Sequence, residues 1–151
     1  MKIVFLHGLN SSPNSFKRQL LENEGHQVSA PFLKADDWEA SVMAARTYID
    51  LAKPDVVIGS SRGGAVAMCA NTNTPLILIA PAWSKYCPWG TISAATTIIH
   101  SKTDEIIPFS DSELLAKTFG ASLVQAGVDH RMNDEEATSA LLRVLEGTYE
   151  V

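Results

Sequence analysis

The sequence predicts an α/β protein: a three-layer α/β/α sandwich built on a mostly parallel sheet of about six strands. Three observations carry this. Short apolar, β-branched runs alternate with stretches of helical periodicity, the pattern of strands joined by crossover helices. The residues Gly59-Ser60-Ser61-Arg62-Gly63 spell G-x-S-x-G between the apolar run Val56-Val57-Ile58 and a helix-like stretch. An aspartate loop and a histidine loop then follow two later strands, so that Ser61, Asp104 and His130 come in that order.

Residues 3–6 read as the first buried strand. The loop His7-Gly8-Leu9-Asn10-Ser11-Ser12-Pro13 follows, then a helix over about 14–23 that Gly25 closes as a C-cap. Residues 28–33 suggest a short edge strand interrupted by Pro31, and Asp36 or Asp37 caps a helix running to about residue 52. Pro54 ends that helix; residues 55–59 form the central strand, 62–70 the next helix and 76–80 the next strand. Segment 81–90 is aromatic, rich in turn formers and without periodicity, so it reads as a loop or short irregular helix and as the candidate lid. Residues 96–100 give another strand, 110–119 a helix, 121–125 a last strand and 134–149 a final amphipathic helix. No repeat, linker or low-complexity tract interrupts this order, and 1–151 read as one domain, long enough to bury about 70% of its unfolded surface.

The composition, 46% hydrophobic and 19% charged, is that of a globular chain. A net charge of -5 without any Lys/Arg cluster argues against a nucleic-acid partner. The apolar run at residues 3–6 is too short for a signal peptide or a membrane span, so a cytoplasmic location and no membrane partner are expected. Cys69 and Cys87 match no metal spacing and no disulfide framework, and both are expected to be inert; the alternative for Cys87 is a reactive surface thiol. Met43 and Met68, on apolar helical faces, are assigned to the core.

The chemistry explains the glycine spacing. A serine hydroxyl is a poor nucleophile until a base takes its proton, so Ser61 must stand clear of the backbone where a histidine reaches it. A sharp strand-to-helix turn lifts it there, and Gly59, Gly63 and Gly64 let strand and helix pass closely. The helix starting at Arg62 directs free N–H groups at the site, while Ser60 reads as a turn hydroxyl. The loop 101–108 offers Asp104 and the loop 127–130 offers His130; Glu105 and Asp129 are the alternative carboxylates, and His100, a core or supporting group, is the alternative base. His26 is expected to be solvated.

On these residues the chain resembles the α/β-hydrolases, and more narrowly the small cap-less single-domain bacterial serine esterases that open with a strand and an H-G-x-N-S-S-P loop. The likeness spans essentially the whole sequence. It implies Ser61 as nucleophile, Asp104 as triad acid, His130 as general base, and the backbone N–H groups of Leu9 and Arg62 as oxyanion donors. His7, Asn10, Trp83 and Tyr86 are the candidate substrate-binding residues, with bracing of the loop by His7, turn formation by Asn10 and loop packing by Trp83 and Tyr86 as the alternatives. Against the larger members the antiparallel edge hairpin and the cap are missing, leaving residues 81–90 to shape the acyl pocket. Arg62, a cation at a helix N-terminus, is expected to pair with Asp36, Asp37 or Glu39; otherwise it binds a substrate carboxylate or phosphate.

The expected activity is hydrolysis of a small carboxylic ester through an acyl-enzyme, with no metal or organic cofactor. The same triad serves a thioester or a small amide, and a non-catalytic binding protein on a hydrolase scaffold is the reading from another class. Nucleotide binding is disfavoured, because the glycine loop is neither G-x-x-x-x-G-K-[ST] nor G-x-G-x-x-G. The motifs leave the oligomeric state open.

Overall fold

Strand periodicity sorts the core onto two faces of one sheet. In β1 (Lys2–Leu6) the side chains of Ile3 and Phe5 enter one apolar cluster and those of Val4 and Leu6 another, and all four are buried. The computed structural model describes residues 1–149 and continues with α1 (Phe16–Asn23), β2 (Gln27–Ser29), α2 (Trp38–Ala52), β3 (Val56–Ser60) and α3 (Arg62–Cys69). Then come β4 (Leu76–Ile79), α4 (Trp83–Tyr86), β5 (Thr97–His100), α5 (Phe109–Phe119), β6 (Ser122–Gln125) and α6 (Glu135–Tyr149).

The sheet order is β2-β1-β3-β4-β5-β6 with every pair parallel. Leu21 of α1 and Leu141 and Leu145 of α6 cover the face of Ile3 and Phe5; Val42 of α2, Val66 of α3 and Leu115 of α5 cover the other. This is the expected three-layer sandwich. Chain direction across the sheet reverses at β1, which has β2 on one side and β3 on the other. The loops leaving β1 and β3 therefore open a crevice at the carboxyl ends of the strands.

Local chemistry sets the ends of the elements. Ser15 caps α1 by accepting from the Arg18 N–H, and Gly25 (φ 91°) lies just beyond the cap Glu24. Asp37, of the two candidates, caps α2 through Oδ1, which accepts from Ala40 N at 3.0 Å. β2 stops at Ser29, shorter than expected, because Pro31 has no N–H to continue the ladder. The 81–90 segment holds a single helical turn, α4.

Two expectations are corrected. Cys69 and Cys87 are joined by a disulfide, and Cys87 is fully buried rather than a surface thiol. Packing of α4 on α3 brings the residue after α4 over the end of α3, a tertiary juxtaposition that cysteine spacing does not encode. Met43 is 60% exposed: the inward face of α2 is Ser41, Val42, Ala45 and Ile49, and Met43 falls a third of a turn away from it. Met68 is in the core. Among the described residues no helix is long and apolar enough to cross a membrane.

Candidate active site

The elbow is built by close packing. Ser61 has φ 55° and ψ -117°, a conformation costly for a residue with a Cβ, held by its N–H donating to Ile79 O and its C=O accepting from Ala82 N. A Cβ on Gly59 would lie 2.5 Å from the Gly63 carbonyl oxygen, and one on Gly63 would overlap the Leu6 carbonyl and lie 2.6 Å from that of His7. Only glycine lets α3 sit this close to β1 and β3. The Ser61 hydroxyl is thereby raised into the crevice.

His130 and Asp104 arrive from the loops after β6 and β5. His130 Nδ1–H donates to Asp104 Oδ2 at 2.7 Å, which leaves Nε2 to accept from Ser61 Oγ at 2.8 Å. The Asp104 side chain is fully buried and that of His130 is 14% exposed. Burial pushes the Asp104 carboxyl up, but hydrogen bonds from Ile107 N–H, His130 and Ile106 N–H, with the His130 charge, outweigh it and hold the group below the usual carboxylate range. Asp104 thus stays an anion. Ser101 Oγ donates to Gly127 O and Thr103 Oγ1 to Val128 O, fastening the aspartate loop to the histidine loop.

His100 is the second partner of Asp104. It is fully buried; its Nε2–H donates to Asp104 Oδ2 at 2.9 Å and its Nδ1 accepts from Ser112 Oγ at 2.7 Å. It is remote from the Ser61 hydroxyl along this chain of bonds and supports the acid. The alternative carboxylates are engaged elsewhere: Glu105 accepts from the His130 N–H and Asp129 from the Met132 N–H.

Of the amides read as oxyanion donors, Arg62 N–H is the first of α3 and has no intrahelical acceptor, and Leu9 N–H makes no backbone bond among the described residues. Leu9, Asn10, Ser61, Arg62, Tyr86 and His130 all line one cleft of about 530 Å³. His7 and Trp83 do not line it. The His7 ring is turned inward, Nδ1–H donating to Gly8 O and Nε2 accepting from Leu33 N, and burial lowers its pKa, keeping the ring neutral. Trp83 packs against the core with its indole N–H on Asp111 O, and Trp89 is exposed. Another groove, of about 560 Å³ and lined in part by Trp38, Met43 and Trp89, includes none of Ser61, Asp104 and His130.

Arg62 departs from expectation. It is buried, and among the described residues it has no carboxylate partner; Asp36 pairs with Lys34 and Asp37 caps α2. Its Nη2 donates to Lys34 O and Ser41 Oγ, and its guanidinium lies 5.2 Å from the Trp38 ring and 5.6 Å from the Tyr86 ring, which stack on each other. Trp38 was not singled out in the sequence, since only the packing of α2 brings it here.

Lys17 was equally silent. It is 7% exposed, lines the cleft, and donates from Nζ to Arg131 O at 2.6 Å and Asn133 Oδ1 at 2.9 Å, tying α1 to the residues after His130. Burial lowers its pKa from 10.5 to about 8 despite the charges of Asp129 and Asp134. Between those values the unfolded chain holds a proton that the folded chain lacks, so stability rises with pH across that window. Urea unfolding at pH 8 and 10.5 is expected to show the parent gaining up to about 3 kcal/mol relative to Lys17→Met. Parallel pH curves would mean that Lys17 titrates normally.

The fold and the elbow define an α/β-hydrolase fold without a cap. The chain belongs to the uncharacterised protein family UPF0227, whose profile matches residues 2–92, from β1 through the elbow to just past α4. Among curated proteins no match is found. Three solved structures of similar fold are Est1E from Butyrivibrio proteoclasticus (TM-score 0.79, 17% identity, covering 99% of this chain and 88% of that one), the ydeN gene product of B. subtilis (0.78, 17%, 99% and 99%), and a candidate α/β-superfamily hydrolase from Xanthomonas campestris pv. campestris (0.77, 22%, 97% and 98%).

Proposed function

We propose that the protein is a serine hydrolase that cleaves a small carboxylic ester through an acyl-enzyme. The observation that carries this is the unbroken chain Ser61 Oγ, His130, Asp104, with the serine on a positive-φ elbow lining a cleft. His130 Nε2 takes the Ser61 proton as Oγ attacks the carbonyl, and the Leu9 and Arg62 N–H groups stabilise the oxyanion. The protonated His130, steadied by Asp104, gives its proton to the leaving alcohol. Water, deprotonated by His130, then attacks the acyl-Ser61 ester, and the acid leaves as the serine recovers its proton. No step calls on a metal or organic cofactor.

A thioester or small amide would react by the same steps, and rates on matched oxygen and thiol esters rank them. The proposed partner is a small molecule rather than nucleic acid or a membrane. The proposed setting is the cytoplasm, where the Cys69–Cys87 bond would be open to reduction.

The test is labelling with a fluorophosphonate probe and mass spectrometry of the modified peptide. Modification is expected at Ser61 in the parent and to be lost in Ser61→Ala and His130→Ala. A folded parent that resists the probe would favour a non-catalytic binding protein on this scaffold.

A further inference from the structure

The chain carries 17 acidic and 12 basic residues, yet the cleft beside Ser61 inverts that balance. Its lining includes Lys17, Arg62, Lys85 and Arg131 and no aspartate or glutamate. Asp104 lies behind His130 with its oxygens committed to two histidines and two backbone amides. Acids that adjoin lining residues are also hydrogen-bonded, Glu105 with the His130 N–H, Asp129 with the Met132 N–H and Asp134 with the Val128 and Ala137 N–H groups.

The cations are not equivalent. Lys17 has Asp129 and Asp134 near it and is consumed in holding the loop after His130. Lys85 and Arg131 are exposed and, among the described residues, form no ion pair. Arg62 is buried, its Nη2 is hydrogen-bonded, and its Nε has no hydrogen-bond partner among the described residues. Lys85 Nζ and the Arg62 guanidinium lie 5.3 and 5.6 Å from the same Tyr86 ring, so two positive charges flank one residue of the cleft, and among the described residues neither forms an ion pair. A buried charge with no counter-ion is costly, and an anion entering the cleft lowers that cost.

We infer that the ester taken by this site bears a second, anionic group, a carboxylate or phosphate, held by Lys85 and Arg131 with the Arg62 charge behind them. This rests on the serine-hydrolase reading above and names its substrate class. The anion sits at the mouth, separated from the scissile carbonyl by a spacer, in either the acyl or the alcohol half. Hydrolysis itself is unchanged: water adds, the ester C–O bond breaks, and the distal anion leaves with whichever product carries it.

The experiment uses two matched pairs. One is mono-para-nitrophenyl adipate against methyl para-nitrophenyl adipate, with the anion in the acyl half; the other is meta-carboxyphenyl hexanoate against its methyl ester, with the anion in the alcohol half. In at least one pair the parent is expected to favour the carboxylate by about tenfold or more in kcat/KM, the preference shrinking as salt is added. The double variant Lys85→Gln, Arg131→Gln is expected to lose most of that ratio through a raised KM on the anionic member. The same charge change at Lys2→Gln with Lys117→Gln, outside the cleft, is expected to keep it. Neutral esters equal or better in both pairs, or a ratio untouched in the double variant, would overturn the inference while fluorophosphonate labelling of Ser61 leaves the hydrolase reading standing. Absence of labelling would overturn both.

Discussion

Replacing Ser61 by alanine is expected to lower kcat on an activated ester by about 10⁴-fold or more, with KM changed by no more than a few-fold. The nucleophile contributes to the barrier and little to ground-state binding, because the cleft walls, the Leu9 and Arg62 amides and the basic mouth all survive the change. Stability should barely move. Alanine inherits the backbone conformation at φ 55° and forfeits one side-chain hydrogen bond at a half-buried position, worth about 1 kcal/mol. Stopped assays on purified variants, with thermal melts alongside, separate the two effects. Ser60→Ala is the informative companion and is expected to retain activity within a few-fold. If instead Ser61→Ala kept a tenth of the parental rate, the chemistry would not run through this elbow.

The elbow was legible in the sequence because several independent demands coincide on five residues. A buried strand must end, a helix must begin, and α3 must approach β1 so closely that Gly59 and Gly63 admit no Cβ. The chain order of Ser61, Asp104 and His130 was legible for a related reason: each follows a strand whose apolar run is visible, and parallel strands present all their following loops at one end. Topology converts sequence order into proximity there.

What was not legible depends on which side chains the crossovers bring together. Arg62 was expected to find a carboxylate among Asp36, Asp37 and Glu39; the stretch 34–41 instead offers it the Lys34 carbonyl, the Ser41 hydroxyl and the Trp38 ring. Local charge counting sees the acids and misses the aromatic face. Cys69 and Cys87 meet only because α4 packs against α3. His7 belongs to a glycine loop that suggests substrate contact, but the Leu33 amide waits on the other side of its ring. His100 did carry a signal, a histidine ending a strand four residues before the acid. Nothing in periodicity said that its ring would share an oxygen with His130.

That shared oxygen makes Asp104→Asn the sharpest test of the triad. Asp104 Oδ1 accepts from Ile106 N and Ile107 N, each at 2.8 Å, so the amide oxygen of an asparagine is drawn to the Oδ1 position. The NH₂ group then takes the Oδ2 position and points donors at His130 Nδ1 and His100 Nε2. Both rings must respond by shifting their proton to the far nitrogen. For His100 the change is tolerated, since the Ser112 hydroxyl accepts as readily as it donates. For His130 it is ruinous: Nε2 becomes a donor facing Ser61 Oγ and cannot take its proton. The variant is expected to fold, with a near-parental circular dichroism spectrum, and to lose about 10³- to 10⁴-fold in kcat. Asp104→Ala, which leaves a void between the His130 and His100 rings instead of an inverted tautomer, is expected to cost stability as well. A fully active Asp104→Asn would show that the orientation of His130 is set by something other than this carboxylate, and the assignment of the acid would have to be abandoned.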